Sequence, residues 1–588
     1  MENSEAAEIL WDLNDLYSSS SDERIAADRE WINGRMGDFS AYRGKVAELK
    51  PEELLEAVRM LEEIEERAQR LLAYAYLDFS TRTLDAGASA FFQAMKELYS
   101  RVERDTLFFR LEWTGMEDGP AGEKSSSVAL MPYAHYLTAL RRYKPHVLSE
   151  PEERVLAEKG PAGSSAWKAL FDKMLGQLRF GEKKKTQSEV LKDLYSADRE
   201  QRKRAAADLS EGLATTLVPL THVFNTILLD KSIEDRLRGY PHWLSSRNLE
   251  NEIGDETVNA LVRAVCSRYD IVERYYRIKK KLLGCDELFD YDRYAPLPGP
   301  VGEAISWNEA TRIVLEAFHD FSGEAAKIAR LFFERGWIHA AMLPGKRGGA
   351  YSHPVVPSAH PYIFLNFTGT RRDVMTLAHE LGHGIHQYLA RSQGLFNCNT
   401  PLTTAESASV FAETLVFRSL LNRTASKEER LALLCSKIED TFATVFRQAA
   451  MNRFEDAVHT ARRTMGELDS DYIGSVWMET QRAMFGDSVR LLDHYSTWWC
   501  YIPHFVHSPG YVYAYAFGEL LTAGLYEQYL HEGAGFVPAY LHYLGSGGRA
   551  EPVELLRPLG VDVSDAGFWA RGLQTVEGLV DEAERESQ

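Results

Sequence analysis

The sequence predicts a mainly α-helical protein with one small β element. Apolar residues recur at helical spacing through several long stretches, whereas the alternation typical of strands is scarce. A segment rich in glycine and proline precedes the one clear strand pattern. The chain has 588 residues, enough for several domain-sized units and a large buried core.

Amphipathic helices account for most of the first half of the chain. Between Glu52 and Tyr76, apolar side chains repeat every three or four positions among charged ones. Similar patterns occur near 84–112, 150–175, 186–215 and 255–283. The breaks between them are short. We therefore expect only a coarse division, into a helical N-terminal region (1–200) and a larger C-terminal region (201–588).

Composition excludes several classes of function. The net charge of −19 argues against a nucleic-acid surface, which is expected to be basic. The sequence contains no run of about 18 apolar residues, so no membrane span is expected, and the acidic N-terminal residues do not have the pattern expected of a secretory signal. The five cysteines are far apart and form no CxxC pair, as expected for free thiols in a reducing compartment. We expect a cytoplasmic protein, with its oligomeric state left open.

The best strand pattern is Tyr362–Phe367, a short run rich in β-forming residues. Glycines and prolines between Pro344 and Pro361 predict loops and turns before it. We expect this strand to lie beside the helix that follows it in the chain. An exposed strand edge at that place would hold an extended peptide by main-chain hydrogen bonds.

The most informative motif is His379-Glu-Leu-Gly-His383, which has the form HExxH. Residues four apart on an α-helix lie on one face, so both imidazoles can bind one Zn²⁺ ion. Glu380 lies next to the first histidine and can take a proton from a metal-bound water. The motif therefore predicts a catalytic zinc site.

The residues around this motif predict a helix that begins after Thr370 and ends near Gly394. Thr370 and Asp373 form a helix-start signal of the [ST]xx[DE] type. Apolar residues then repeat at helical spacing from Val374 to Leu389. This context makes a chance occurrence of HExxH less credible.

A catalytic zinc ion needs a third protein ligand and one open position. The metzincin pattern does not supply it, because His386 stands where that pattern has glycine and Leu389 where it has histidine. A carboxylate on a following helix is the other option. Glu406 lies 23 positions after His383, which leaves room for the chain to reverse.

Spacing alone leaves two alternatives to Glu406 as a ligand. Thr403 and Glu406 also match a capping box, in which Glu406 would bond the start of its own helix. Glu413, seven residues further, lies on roughly the same helix face. It could be the ligand, or it could orient one of the imidazoles.

With these motifs in place, the sequence resembles the thimet oligopeptidase and oligoendopeptidase F family of zinc peptidases, most closely oligoendopeptidase F. HELGHGIH followed by AESAS matches the family's HExGHxxH pattern and later glutamate, which corresponds to Glu406. Further similar segments are distributed over nearly the whole chain, at Trp11–Tyr17, Gly349–Ser352, Pro361–Asn366, Ile502–Phe505 and Tyr511–Gly518.

The resemblance implies a two-part helical clamshell with a deep channel and a small β element beside the zinc helix. It also implies that residues 1–200 are an oligoendopeptidase F-like N-terminal domain and that residues 201–588 are the zinc peptidase region. The expected activity is hydrolysis of internal bonds in short, unstructured peptides. The expected partners are oligopeptides, with neither nucleic acid nor membrane.

For the site, the resemblance implies one Zn²⁺ per chain, bound by His379, His383 and Glu406. Glu380 is then the general base and the zinc-bound water the nucleophile. His504, Tyr511 and Tyr515 are the expected hydrogen-bond donors to the substrate or to the oxyanion.

Two details of the C-terminal motif depart from a simple match. Gly510 stands where the family commonly has a bulky residue before the first tyrosine, so a looser wall or a different subsite is expected there. His507 lies close to His504 in the chain, and either could face a substrate. His504 fits the Pro-His pattern and is the preferred candidate. Some of the alternating tyrosines at 511, 513 and 515 are expected to face the core.

Three other functions compete with this interpretation. A metallocarboxypeptidase would need a cationic group for the terminal carboxylate of its substrate, and no motif in the sequence identifies one. An aminopeptidase with a GAMEN motif is disfavoured, because GGAYS precedes the zinc helix instead. A non-catalytic metal-binding or peptide-binding protein is disfavoured by the intact Glu380, because a purely structural zinc site has no need of that base.

Overall fold

The structure is a computed structural model, and residues 6–297 and 304–588 are described. They form α-helices almost throughout and one small sheet, so the predicted mainly α-helical fold with a small β element is confirmed. In chain order the helices are α1 (Glu23–Phe39), α2 (Pro51–Thr81), α3 (Ala86–Gly115), α4 (Asp118–Ser125), α5 (Ala134–Arg142), α6 (Glu150–Lys159), α7 (Ser164–Gln177), α8 (Gln187–Asp193), α9 (Arg199–Ala214), α10 (Leu217–Arg238), α11 (Ser245–Glu250), α12 (Asp255–Cys266), α13 (Tyr269–Leu282), α14 (Trp307–Phe321), α15 (Gly323–Glu334), α16 (Arg371–Ala390), α17 (Leu402–Arg423), α18 (Lys427–Thr444), α19 (Phe446–Met465), α20 (Ser470–Phe485), α21 (His504–His507), α22 (Tyr513–Glu532), α23 (Phe536–Gly545), α24 (Pro552–Leu556) and α25 (Ala566–Ser587).

The chain forms two compact units, each assembled from three separate segments. Unit 1 comprises 6–145, 304–423 and 528–561, and unit 2 comprises 146–297, 424–527 and 562–588. The sheet, α16 and α17 lie in unit 1, whereas α13, α19 and α21 lie in unit 2. The boundary near residue 200, which separates regions along the sequence, stays a prediction.

Among the described helices, no single one has both the length and the apolar composition of a membrane span. Within the same residues, one pair of consecutive helices, α9 and α10, reaches that length and composition when taken together, and the pair is bent by 69°.

The sheet has three short strands, β1 (Ile338–His339), β2 (Tyr351–His353) and β3 (Tyr362–Phe364). Their order is β1–β3–β2, with β1 parallel and β2 antiparallel to β3. The expected strand from Tyr362 is therefore present, but it is central. The expectation that it offers an exposed edge is wrong, because all three of its residues are buried, as is typical of a central strand. The edge strand β2 contacts α16, where the Ser352 hydroxyl donates to Gln387 Oε1 at 2.8 Å.

Helix α16 begins where its sequence predicts, after Thr370, but it ends at Ala390, before the expected end near Gly394, because the chain tightens there into the 3₁₀ turn Arg391–Gln393. The backbone N–H of Asp373 donates to Thr370 Oγ1 at 3.2 Å, and Asp373 Oδ2 accepts from the Thr370 N–H at 3.0 Å. This is the predicted capping box. After Ala390 the chain reverses through Gly394, whose φ of +78° favours glycine, and α17 then begins at Leu402.

Helices α16 and α17 approach each other closely at Gly382, the glycine inside the HExxH motif. A Cβ atom at this position would lie 2.6 Å from the Ala408 carbonyl oxygen and 2.7 Å from Ser409 Cα. It would also lie 2.9 Å from the Ala412 Cβ. Two of these atoms belong to the backbone of α17 and cannot move without moving that helix. Gly382 is therefore required by the helix contact.

Gly382→Ala tests this contact. The added methyl group must push α17 away from α16, so we expect the free energy of unfolding to fall by about 1–3 kcal/mol. Gly34→Ala is the control, because Gly34 is an exposed residue of helix α1 with nothing within 4 Å of its added Cβ. That substitution is expected to stabilise the protein by about 0.4–1 kcal/mol. Urea denaturation of both variants measures the difference, and equal stabilities would show that the contact is not tight.

Candidate metal and catalytic site

Helix α16 places His379 and His383 on one face, one turn apart. Their ring centroids lie 4.8 Å apart and the ring planes are nearly perpendicular, at 80°. Both side chains are half-buried. Because residues four apart lie on the same face of an α-helix, the Nε2 atoms of both rings can face a common point.

Glu406 reaches that point from α17. Its Oε2 atom lies 3.6 Å from His379 Nε2 and 3.5 Å from His383 Nε2. The Ser409 hydroxyl donates to the same oxygen at 2.8 Å. The capping-box alternative is wrong, because α17 already begins at Leu402 and the Thr403 hydroxyl, one residue into the helix, has no hydrogen-bond partner.

These three side chains fit the requirements of a zinc ion. One ligand atom from each of His379, His383 and Glu406 can be chosen so that all lie within 4.8 Å of one another. Ligand atoms on a tetrahedral zinc ion, with bonds of roughly 2.0–2.2 Å, are separated by roughly 3.3–3.5 Å. Two nitrogens and one carboxylate oxygen are also a donor set typical of catalytic zinc, with the fourth position left for water or substrate.

Glu413 lies on the other side of the first imidazole. Its Oε1 atom is 2.5 Å from His379 Nδ1, whereas Glu406 faces His379 Nε2. The carboxylate therefore fixes the ring orientation and the tautomer that leaves Nε2 facing Glu406. Of the two roles open to Glu413 in the sequence, the geometry favours the orienting one.

The charges of the cluster are strongly coupled. Burial lowers the pKa of His379, but the hydrogen bond to Glu413 and the surrounding carboxylates outweigh it and raise that pKa to about 9. Burial raises the pKa of Glu406, but its contact with His383 and the two imidazole charges lower it to about 2. The carboxylates thus create a site that attracts positive charge, either protons or a metal ion.

Glu380 lies beside this cluster without belonging to the ligand set. Glu380 is only 6% exposed, and this burial is the main reason why its pKa lies above the usual range of a glutamate. Its side chain makes no hydrogen bond to another described residue. A buried carboxyl with a raised pKa is suited to accepting and returning a proton.

His386, the last histidine of HELGHGIH, has a different environment. It is buried, and burial lowers its pKa to about 3, so it is neutral. Its ring lies 6.5 Å from that of Tyr543, whose hydroxyl is 2.9 Å from the Ser407 hydroxyl. His386 is therefore a buried, neutral histidine beside Tyr543 of α23, and Tyr543 in turn contacts α17 at Ser407.

The other predicted residues form a separate cluster in unit 2. His504 Nε2 lies 3.1 Å from the Tyr515 hydroxyl, and the rings of Tyr511 and Tyr515 meet edge to face at 4.9 Å. Burial is the main cause that lowers the pKa of His504. The neighbouring residues point elsewhere: His507 Nε2 contacts Asp172 at 2.8 Å, and the buried Tyr513 hydroxyl accepts from Asn251 at 2.8 Å. His504, Tyr511 and Tyr515 are thus brought together.

Gly510, immediately before this cluster, is required by its backbone and its surroundings. Its φ is +75°, and an added Cβ would lie 2.6 Å from Leu244 Cδ1. Its N–H donates to the buried Glu455 at 2.9 Å. The expectation of a looser wall is wrong, because Leu244 and Trp243 fill the space that a bulky side chain would take.

Sequence reasoning missed two contributions to the metal cluster. Ser409 holds Glu406 by a hydrogen bond from three residues further along α17, and Gly382 permits the close helix contact. The signal for Gly382 was present, since a glycine inside a helix lowers helix stability and usually has a packing reason. The signal for Ser409 was only its i+3 spacing from Glu406.

Two family models match this sequence. The model described as Peptidase family M3 matches residues 193–575, more than half of the chain. The model described as Oligopeptidase F matches residues 125–180.

Individual relatives match along nearly the whole chain. Oligopeptidase PepF of Bacillus subtilis is 27% identical over 592 residues, covering 98% of this chain and 87% of that protein. The plasmid-encoded oligoendopeptidase F of Lactococcus lactis is 25% identical, covering 98% and 97% of the two chains.

Solved structures share the fold. A Chlamydophila abortus protein of known crystal structure superposes with a TM-score of 0.86 at 24% identity, covering 100% of this chain and 99% of that one. Oligoendopeptidase F of Enterococcus faecium gives a TM-score of 0.72 at 22% identity, covering 96% and 99%.

Glu413→Gln tests the orienting role. The amide cannot supply the negative charge that holds the His379 ring, so we expect zinc affinity to fall about 10–100-fold, measured by competition with a chelator. Glu316→Gln, which removes a surface carboxylate from the same unit, is the control and should leave the affinity unchanged. A loss as complete as that of His379→Ala would instead make Glu413 a ligand, and no loss would remove its role.

Proposed function

Because this chain belongs to peptidase family M3, it is a peptide hydrolase, and we propose that it is a zinc-dependent endopeptidase acting on internal bonds of short, unstructured peptides. One observation carries the proposal: His379, His383 and Glu406 converge within 4.8 Å, and Glu380 lies on the same helix beside them. This arrangement would give a zinc ion three protein ligands and would leave Glu380 beside it as a proton acceptor that is not itself a ligand.

The proposed reaction assigns a separate task to each residue. His379, His383 and Glu406 would hold one Zn²⁺ ion, which when bound supplies Lewis-acid polarisation of the substrate carbonyl and a lowered pKa for water. Glu380 takes the proton of the attacking water and then delivers it to the amine that leaves. Glu413 keeps the His379 ring in place during both steps.

We propose His504, Tyr511 and Tyr515 as the groups that bind the substrate backbone or the developing oxyanion. The contacts in unit 2 support this role, because the imidazole and the Tyr515 hydroxyl already share a hydrogen bond at 3.1 Å. Burial keeps His504 neutral near pH 7, so one ring nitrogen can donate. Because His504 and Tyr515 are hydrogen-bonded to each other, each is held in position before negative charge develops on the substrate oxygen.

We also propose that the enzyme acts in the cytoplasm. All five cysteines are free in the structure, and Cys435 and Cys500 are buried. Buried thiols without disulfides are the usual state in a reducing compartment. The proposed substrates are oligopeptides, with neither nucleic acid nor membrane as a partner.

Glu380→Gln is the direct test of the proposed mechanism. Glutamine has nearly the same size but cannot accept the proton of water, so we expect turnover of a short peptide to fall about 10²–10⁴-fold. Zinc content and melting temperature should stay at the wild-type values, because Glu380 is not a ligand. Metal analysis, melting curves and mass spectrometry of the products are measured on the same samples.

Each outcome of that experiment has a distinct meaning. Normal turnover in Glu380→Gln would contradict the peptidase mechanism. Full activity of the wild type after complete removal of zinc would contradict the metal dependence. Exclusive release of single terminal residues would contradict internal cleavage and favour an exopeptidase.

A further inference from the structure

Two arginines in unit 2, Arg293 and Arg447, lie beside the same tyrosine, Tyr294, and differ from many other arginines of this unit in their neighbourhood. Arg202 and Arg238, for example, bind Asp292 at 2.8 Å and Glu153 at 2.7 Å. Within the described residues, neither Arg293 nor Arg447 has a carboxylate within 4.0 Å. Since a buried charge is costly unless it is paired, two adjacent guanidinium groups without a counterion need a reason.

Arg293 is held mainly by aromatic rings. It is 4% exposed, and its Nη1 donates to the Tyr495 hydroxyl at 2.8 Å. Its guanidinium carbon lies 4.5 Å from the centroid of the Tyr294 ring and 5.1 Å from that of Tyr495. Cation–π contacts stabilise the group, but they supply no negative charge, and its buried Nε has no hydrogen-bond partner.

Arg447 lies on α19 and is half-buried, and most of its guanidinium N–H groups make no hydrogen bond to the described residues. Among the described residues, its side chain makes one hydrogen bond, from Nη1 to the Tyr294 hydroxyl at 3.2 Å. A guanidinium group has five N–H donors in a planar fork that matches a carboxylate. Most of this fork is therefore available for a ligand.

The carboxylate of Glu439, which lies near the two arginines, is already paired with another cation. Glu439 lies close enough to influence Tyr294, but its Oε1 atom accepts from the fully buried Lys279 Nζ at 2.6 Å. Burial raises the pKa of Tyr294, yet the charges of Arg293 and Arg447 outweigh it and lower that pKa. The surroundings of Tyr294 thus favour an added negative charge.

This arginine pair adjoins the cluster proposed to bind substrate. Tyr495 lies in the short helix Asp493–Tyr501, and His504 follows three residues after its end. After burial, the charge of Arg447 is the next cause of the lowered pKa of His504. A group that binds at Arg447 therefore lies within electrostatic reach of His504.

We propose that Arg447, with Arg293 behind Tyr294, binds a carboxylate of the peptide substrate, and that this carboxylate is the free C-terminus. The inference rests on the proposed function, because it names a feature of the same substrates. Every short peptide carries a C-terminal carboxylate, whatever its sequence. Arg447 can bind it through two parallel N–H···O bonds, and the ligand supplies the counterion that the site lacks.

The test compares three versions of one peptide without acidic residues near its end: the free acid, the C-terminal amide, and the amide with a glutamate added as its last residue. For the wild type, we expect kcat/KM to be roughly 10–100-fold higher for the acid than for the amide, mostly through KM. In Arg447→Met this ratio should fall close to one, and Arg447→Lys should retain part of it.

Arg453→Met is the matched control. Arg453 lies on the same helix, but it is exposed and pairs with Asp456 at 3.1 Å, so its removal should leave the ratio unchanged. The melting temperature of Arg447→Met should equal or exceed that of the wild type, because the substitution removes an uncompensated charge.

The remaining outcomes overturn the inference in distinguishable ways. Equal cleavage of acid and amide by the wild type would refute the carboxylate site and leave the proposed function intact. Cleavage of the glutamate-ending amide as fast as the acid would refute recognition of the C-terminus and assign the site to an acidic side chain. No cleavage of any of the three peptides would refute the proposed function as well. An equal loss for acid and amide in Arg447→Met, with a lower melting temperature, would make Arg447 purely structural.

Discussion

The candidate site depends on one close contact between two helices. Gly382 in α16 faces the backbone of α17 at Ala408 and Ser409, where even one methyl group would collide. This approach brings Glu406 to within 3.6 Å of both imidazoles, although 23 positions separate it from His383 in the chain. The HExxH motif places two of the proposed ligands by helix geometry alone, but Glu406, the third proposed ligand, reaches them only because the second helix can come this close.

The proposed metal site and the arginine pair carry opposite charges. Glu406 and Glu413 contact opposite nitrogens of His379, so the imidazole lies between two carboxylates. In unit 2 the local charge is positive instead, because Arg293 and Arg447 have no acidic partner in the described chain. Their charges lower the pKa of Tyr294. A site rich in negative charge suits a cation, and a site rich in positive charge suits the carboxylate of a peptide. Each unit thus carries an unbalanced charge that a ligand would neutralise.

Much of the fold and part of the site follow from local patterns. The capping box at Thr370 and the periodicity after it predicted α16 correctly, because both are properties of neighbouring residues. The position of β3 at the centre of the sheet was not predictable, since strand order depends on contacts between distant segments. Spacing alone favoured Glu406 over Glu413 only weakly, because both lie on roughly one helix face. Arg447 has no sequence signal, since what distinguishes it is the absence of an acidic neighbour in space.

The most direct measurement of the central claim is anomalous diffraction at the zinc absorption edge, from crystals of the full chain grown with zinc. The account predicts one strong anomalous peak per chain, about 2.0–2.2 Å from His379 Nε2, His383 Nε2 and a carboxylate oxygen of Glu406. Glu413 should remain on His379 Nδ1. A peak bound by Glu413 in place of Glu406, or no peak beside the two histidines, would contradict it.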